Sequence, residues 1–142
     1  MKGKHVLLDT DVVSFILKSD SRAELYLPHI RNRPCVLSFQ TTGELLRWAI
    51  TKKWGAERRK RLDEFIRNCL VVPWSGPLST KWAEVCADGQ ARGRDCKAGD
   101  AWIAATALLY RIPLVSHNRI DFEWMRDLGL ELICEAPPLG DE

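Results

Sequence analysis

Five acidic residues stand out by type and place: Asp9, Asp11, Glu44, Asp100 and Asp121. Asp9 closes the apolar run Val6-Leu7-Leu8, and Asp11 follows two positions later. Glu44 falls in the first turns of a helical stretch after a second apolar run. Asp100 opens an alanine-rich helical stretch, and Asn118 and Asp121 follow another short apolar run. A carboxylate that closes an apolar strand needs a partner or an ion, because an unpaired buried charge is costly. Two carboxylates about 4 Å apart repel by about 4 kcal/mol at an effective dielectric of roughly 20. Four in one cleft therefore require a counter-ion, and carboxylate oxygens with water suit Mg²⁺ or Mn²⁺. Such an ion can hold a phosphate ester, acidify a bound water and stabilise the departing oxygen; two ions would divide those tasks. No Ser/His/acid or Cys/His arrangement competes with that chemistry.

Each acid also has a plainer reading. Asp11 can cap a helix by accepting from its first free amides. Thr41-x-x-Glu44 has capping-box spacing, which would make Glu44 purely local. Asp100 and Asp121 can serve as N-caps or first-turn acids that complement a helix dipole. Asp9 is the hardest to explain that way.

The elements that must position these acids alternate in type. Strands are expected at residues 5–8, Cys35–Ser38, Leu70–Val72, 114–116 and 130–134. Helices are expected from Asp11 to about Lys18, and at 21–32, 40–52, 56–68, 77–92, 101–110 and 121–128, with Arg33-Pro34 as a break. Strands separated by helices imply an α/β fold, a central, mainly parallel sheet of four to five strands with helices on both faces. Crossovers should be right-handed. In such sheets ligands bind beyond the carboxyl ends of the strands, where Asp9, Glu44, Asp100 and Asp121 would meet. With no repeat, linker or low-complexity segment, residues 1–142 read as one domain, with a loose Pro/Gly/acid-rich tail at 136–142.

Composition narrows the classes. Hydrophobic residues make up 46% of the 142 and charged residues 28%, ordinary values that exclude disorder. The five cysteines (Cys35, Cys69, Cys86, Cys96 and Cys134) show no C-x-x-C spacing, so a zinc site is not expected and reduced thiols of a cytoplasmic protein are. The first apolar run is too short for a signal peptide, and no stretch approaches the roughly 18 apolar residues of a membrane helix.

Four segments carry a resemblance to the PIN-domain nucleases, and to VapC-like toxins in particular. Leu7-Leu8-Asp9-Thr10-Asp11-Val12-Val13-Ser14 resembles their opening strand with its leading aspartate. Ser38-Phe39-Gln40-Thr41-Thr42-Gly43-Glu44-Leu45 resembles the segment that supplies their glutamate. Asp100-Ala101-Trp102-Ile103-Ala104-Ala105-Thr106-Ala107 is similar to their third acidic segment, and Leu114-Val115-Ser116-His117-Asn118-Arg119-Ile120-Asp121-Phe122 to their last. The resemblance implies a three-layer α/β/α PIN-like fold. It implies Asp9, Glu44, Asp100 and Asp121 as the catalytic, metal-binding quartet, with Thr10, Asp11, Ser116 and Asn118 supporting. Asp11 stands where the family most often has Asn. The resemblance further implies endoribonuclease activity on RNA, tRNA among the possible substrates, with Mg²⁺ or Mn²⁺. A VapB-like antitoxin that blocks the cleft and a homodimer are implied as well.

The net charge of +2 does not by itself mark a nucleic-acid binder. Basic residues cluster at 52–67, which reads equally as a solvated helix face, and in the loop that holds Arg92, Arg94 and Lys97. That loop precedes Asp100 and is the better place for RNA phosphates. The six tryptophans read mostly as core or interface residues rather than base-stacking platforms. Two rivals remain. One is a haloacid-dehalogenase-type phosphatase with Asp9 as nucleophile and Asp11 as acid/base, opposed by the lack of a second acid beside Asp100. The other is a non-catalytic RNA-binding or receiver-like module, opposed by Pro73-Trp74 after the third strand.

Overall fold

The computed structural model describes residues 4–140. Five strands, β1 (Val6–Leu8), β2 (Cys35–Ser38), β3 (Leu70–Val72), β4 (Leu114–Val115) and β5 (Leu132–Ile133), form one sheet in the order β3-β2-β1-β4-β5. Every pairing is parallel, with Leu7 opposite Val36 and Leu114. Parallel neighbours need crossovers, and the helices supply them. They are α1 (Thr10–Leu17), α2 (Ala23–Ile30), α3 (Phe39–Thr51), α4 (Ala56–Arg67), α5 (Gly76–Ala91), α6 (Ala98–Tyr110) and α7 (Arg119–Phe122).

The strands are short and apolar because both faces are covered. Side chains alternate across each strand. Leu7, Val36, Val72 and Leu114 pack on one face against Val85, Ala101, Ile103 and Ala104 of α5 and α6. Val6, Leu8, Leu37 and Val115 pack on the other against Val12, Val13, Tyr26, Leu45 and Leu62 of α1 to α4. The result is the expected α/β/α arrangement with five parallel strands.

Several boundaries move for local reasons. The first helix starts at Thr10, with Asp9 at its N-cap, so Asp11 is not the cap. Ser38 caps α3 by accepting from Thr41 N–H at 2.9 Å, so Thr41 and Glu44 do not form a capping box. The sixth helix begins at Ala98, three residues early, which puts Asp100 inside its first turn rather than at its cap. The stretch 121–128 divides into α7, capped by Asn118, and a 3₁₀ segment, Glu123–Leu128. At the start of the tail, the Ala136 carbonyl accepts from Arg119 Nη2 at 2.8 Å, so the chain is tied down there. Residues 141–142 lie outside the described residues.

Tyr26 fastens α2 to the ends of β4 and β5. It is fully buried, and its hydroxyl accepts from Glu135 N–H at 2.9 Å and lies 2.5 Å from His117 Nδ1. Removing the hydroxyl takes a hydrogen-bond partner from the Glu135 amide and from the His117 ring. Tyr26→Phe should therefore destabilise by about 1–3 kcal/mol. In urea titration the midpoint falls at unchanged slope; an unchanged midpoint refutes this role.

Candidate active site

Asp9, Ser38 and Ser116 end or directly follow three neighbouring strands, so the sheet delivers them to one edge. Asp9 is 5% exposed. Its Oδ2 accepts from Ser116 Oγ at 2.7 Å, and its Oδ1 from Thr10 N–H at 2.7 Å. Ser116 Oγ in turn accepts from Asn118 N–H at 3.0 Å. Burial pushes the Asp9 carboxyl well above the usual range, and the charges of Asp11 and Asp100 add to that; the bonds from Ser116 and Thr10 oppose it.

Asp11 faces the same edge but is committed to backbone. Its Oδ1 accepts from Val12 N–H at 2.7 Å and its Oδ2 from His117 N–H at 3.1 Å. It bridges the start of α1 to the segment after β4. Burial raises its pKa, and those two amides oppose the rise.

Glu44 points toward α1. Its Oε1 accepts from Thr10 Oγ1 at 2.5 Å and its Oε2 from Gln40 Nε2 at 3.1 Å. The Thr10 hydroxyl that holds the glutamate also lies 3.2 Å from that of Thr41. On α6, a side chain at Gly99 would press on the ends of two α3 side chains. A Cβ would stand 2.9 Å from Gln40 Nε2 and 3.2 Å from Glu44 Oε2. The absent side chain leaves the Gln40–Glu44 hydrogen bond undisturbed beside the acids. Sequence reading missed Gln40, Thr41 and Gly99. The i,i+4 spacing of Gln40 and Glu44 on one helix was the available signal for the first.

Asp100 and Asp121 form a pair. Burial, then the hydrogen bond and charge of Asp121, then Glu44 push Asp100 up to about 7; Lys97 opposes this. Asp121 moves the other way. Burial would raise it, but bonds from Asn118, Asp100 and Lys97 outweigh that and lower it. Of the pair, Asp100 therefore holds a proton the more readily and Asp121 carries the charge the more readily. Asn118 Nδ2 donates to Asp121 Oδ2 at 2.8 Å, and Lys97 Nζ to the same atom at 3.3 Å. Asp100 Oδ2 is buried and finds no hydrogen-bond partner, an unusual state for a carboxyl oxygen.

All four acids of the expected quartet thus lie around one edge of the sheet, coupled through Asp100. They do not form a single cage: among the described residues no group of three or more His, Cys, Asp or Glu side chains could hold an ion alone. Glu44 is taken up by Thr10 and Gln40, and Asp121 by Lys97 and Asn118, so each is compensated locally. The orphan oxygen of Asp100 and the deeply buried Asp9, whose oxygens each accept one bond and keep a further lone pair, are the hard oxygens that fit a cation best. Mg²⁺ is ordinarily held by one or two carboxylates with waters completing its octahedron, and this donor set fits that.

The basic loop differs from expectation. Arg92 bonds to Asp88 and to Asp127 Oδ2 at 3.0 Å and lies over Trp124, so its charge is spent within the fold. Lys97 is spent on Asp121. Arg94 is exposed, forms no ion pair among the described residues, and lines a hollow with Lys97, Ile120 and Asp121.

The sequence matches the family described as PIN domain over residues 6–126. The chain belongs to the PIN-domain family. It is 27% identical over 128 residues to Ribonuclease VapC1 of Haemophilus influenzae strain R2866, covering 86% of this chain and 92% of that one. Among solved structures it is similar to VapBC2 from Rickettsia felis bound to a promoter DNA fragment. There the TM-score is 0.79 and identity 19%, over 92% of this chain and 98% of that one. It is also similar to VapBC-5 of Mycobacterium tuberculosis, a member of a family of toxin–antitoxin systems. That match has a TM-score of 0.70 and 21% identity, over 92% and 98% of the two chains. These PIN-domain likenesses agree with the five-stranded parallel architecture.

The electrostatics of this PIN domain give a stability test. Asp100 loses its proton near pH 4 when unfolded but keeps it to about pH 7 when folded. The folded state then binds more protons, so stability falls as pH rises through that window. Asn at position 100 can still donate to Asp121. In EDTA, Asp100→Asn should raise Tm by about 2–4 °C at pH 8, with the gain vanishing toward pH 4. Equal Tm values at pH 8 would contradict the assignment.

Proposed function

We propose that this PIN domain is an endoribonuclease that hydrolyses RNA phosphodiester bonds, with Mg²⁺ or Mn²⁺ as cofactor. We propose further that it is the toxin of a toxin–antitoxin pair. The observation that carries the reading is the buried carboxylate edge around Asp9 and Asp100, in a chain similar to a ribonuclease over most of its length. The structural neighbours described as toxin–antitoxin systems support a VapB-like antitoxin as partner. Among the described residues no helix is long and apolar enough to cross a membrane, which accords with action on RNA in the cytoplasm.

The residues divide the work. Asp9 and Asp100 would hold the cation. When bound, it supplies positive charge at the scissile phosphate and makes the attacking water more acidic. Thr10 and Gln40 fix Glu44 at the rim, where its carboxylate can orient water. Ser116 and Thr10 hold Asp9 in one rotamer by its two oxygens. Asn118 and Lys97 steady Asp121 beside Asp100. Arg94 offers an uncommitted charge to an approaching strand.

The phosphatase alternative is not favoured. Its acid/base would be Asp11, yet both oxygens of that residue accept from backbone amides. That arrangement fastens its carboxylate between the start of α1 and the segment after β4, a bracing role rather than one turned to a leaving group.

With an RNA pool and Mg²⁺ or Mn²⁺, the wild-type chain should cut and EDTA should abolish cutting. Asp9→Asn and Asp100→Asn should each lower the rate by more than about a hundredfold, with the fold retained by circular dichroism. Ser116→Ala acts through Asp9 and the Asn118 amide that it braces, and should cost about 10–100-fold. Cleavage by both Asn variants at the wild-type rate would end the proposal.

A further inference from the structure

One helical stripe beside the acids braces none of them. Phe39, Gly43 and Arg47 lie four residues apart on α3, so they share a face. With Gln40 and Glu44 they line a hollow of about 260 Å³. Its floor is Gly43: nothing lies within 4 Å of where a Cβ would stand there. The Phe39 ring forms its upper wall and is held from behind. Trp102 meets it edge-to-face at 5.3 Å, and Trp82 stacks on Trp102 at 5.0 Å with an interplanar angle of 20°. Trp82 is itself pinned by its Nε1 donating to the Ala98 carbonyl at 3.3 Å. At the far end Arg47 is exposed and forms no ion pair among the described residues. This sets it apart from Arg92 and Lys97, whose charges are neutralised within the fold.

We propose that this face seats the RNA nucleotides next to the scissile phosphate, one base against Phe39 and a backbone phosphate on Arg47. The inference rests on the ribonuclease reading and adds the subsite to it. Eight residues of helix separate the two ends by roughly 12 Å, the reach of a short piece of single strand. A half-buried aromatic with fixed neighbours loses little entropy when a base stacks on it, and stacking tolerates any base. An uncommitted guanidinium supplies the phosphate contact. Glu44, in the same hollow beside the stripe, joins the subsite to the acids, so a strand seated here runs into the cleft. The absent side chain at position 43 leaves the room a ribose or base needs. A protein partner would be expected to anchor an apolar side chain in a dry pocket. The mixed aromatic, carboxylate and guanidinium lining favours a nucleic acid.

The test is binding of a labelled single-stranded RNA of random sequence, by fluorescence anisotropy in EDTA, where cutting does not interfere. Gly43→Leu fills the hollow and replaces a poor helix former with a good one. It should weaken RNA binding about tenfold while Tm holds or rises, a combination that misfolding cannot produce. Phe39→Leu keeps the contact with Trp102 and should also weaken binding about tenfold. Arg47→Gln should weaken binding severalfold and make the salt dependence shallower by about one unit of slope. Arg111→Gln removes the same charge at the opposite edge of the sheet and should leave affinity unchanged. Wild-type RNA affinity in Gly43→Leu and Phe39→Leu overturns the subsite, including the case where these variants instead lose a co-purifying protein. Failure of the wild-type chain to bind or cut RNA at all would overturn the ribonuclease reading itself, a distinguishable result.

Discussion

The structure depends on one constraint: a carboxylate enclosed at the end of the central strand of a parallel sheet. Asp9 follows Leu8, fully buried in β1, which is flanked by β2 and β4. Its position forces the surroundings to be polar where the rest of the interior is apolar. Ser116, Thr10, Ser38 and Thr41 are all nearly or completely buried at that edge, while the strand interiors contain only aliphatic side chains. Buried hydroxyls are acceptable only with partners. Here they are one another's partners or the acids'. The parallel topology makes this possible, because every strand presents its carboxyl end to the same edge.

The acids offset the negative charge there in different ways. Asp100 keeps a proton. Asp121 takes an ammonium group and an amide. Asp11 takes two backbone amides, and Glu44 a hydroxyl and an amide side chain. Asp9 is the least compensated for its burial, with one hydroxyl and one amide, and Asp100 alone retains an orphan oxygen. Compensation is thus uneven, and it is weakest at the two groups nearest the heart of the edge. A site built only for stability would spread it evenly or use apolar residues of similar volume, since burying charge gains little stability of its own. Pairs of like groups whose proton affinities are driven apart mark a site arranged for chemistry.

Much of this was legible in the sequence because it rests on period and punctuation. Short β-branched and leucine runs alternating with amphipathic stretches define five parallel strands, and an acid closing the first marks the edge where an ion would be held. What escaped was settled by contacts across the chain. Asp9 rather than Asp11 caps α1, because the helix begins directly after the strand, with no residue between them beyond the cap itself. The Thr41/Glu44 spacing fits a capping box, yet Ser38 takes the Thr41 amide and releases Glu44 for Thr10, 34 residues away. The basic loop looks available in the sequence because sequence shows charge but not its partner. Asp127, 35 positions from Arg92, takes that charge up. Lys97 fits an RNA contact by its place in the loop, yet it neutralises an acid of the cleft.

The same pairing bears on how a chain of net charge +2 would engage a polyanion. Several basic side chains beyond the cleft are paired: Arg59 with Asp63, Arg126 and Arg119 with Glu123, and Arg92 with two aspartates, while Lys52 and Arg58 lie over tryptophan rings and Lys53, Lys60, Arg61 and Arg67 form no ion pair among the described residues. Pairing does not abolish their field, but it removes much of the local potential that a phosphate would meet. A ligand backbone approaching the acidic edge also meets repulsion, which a few well-placed cations must offset. Arg94 and Arg47 are uncommitted in this region and lie on separate hollows at its rim, one beside Asp121 and one beside Glu44. A strand held at both would cross the edge between them, over Asp9 and Asp100. On the ribonuclease reading, positioning at the rim of the cleft then draws on two guanidinium groups and one braced aromatic ring. Specificity would be set by what fits the hollows rather than by charge.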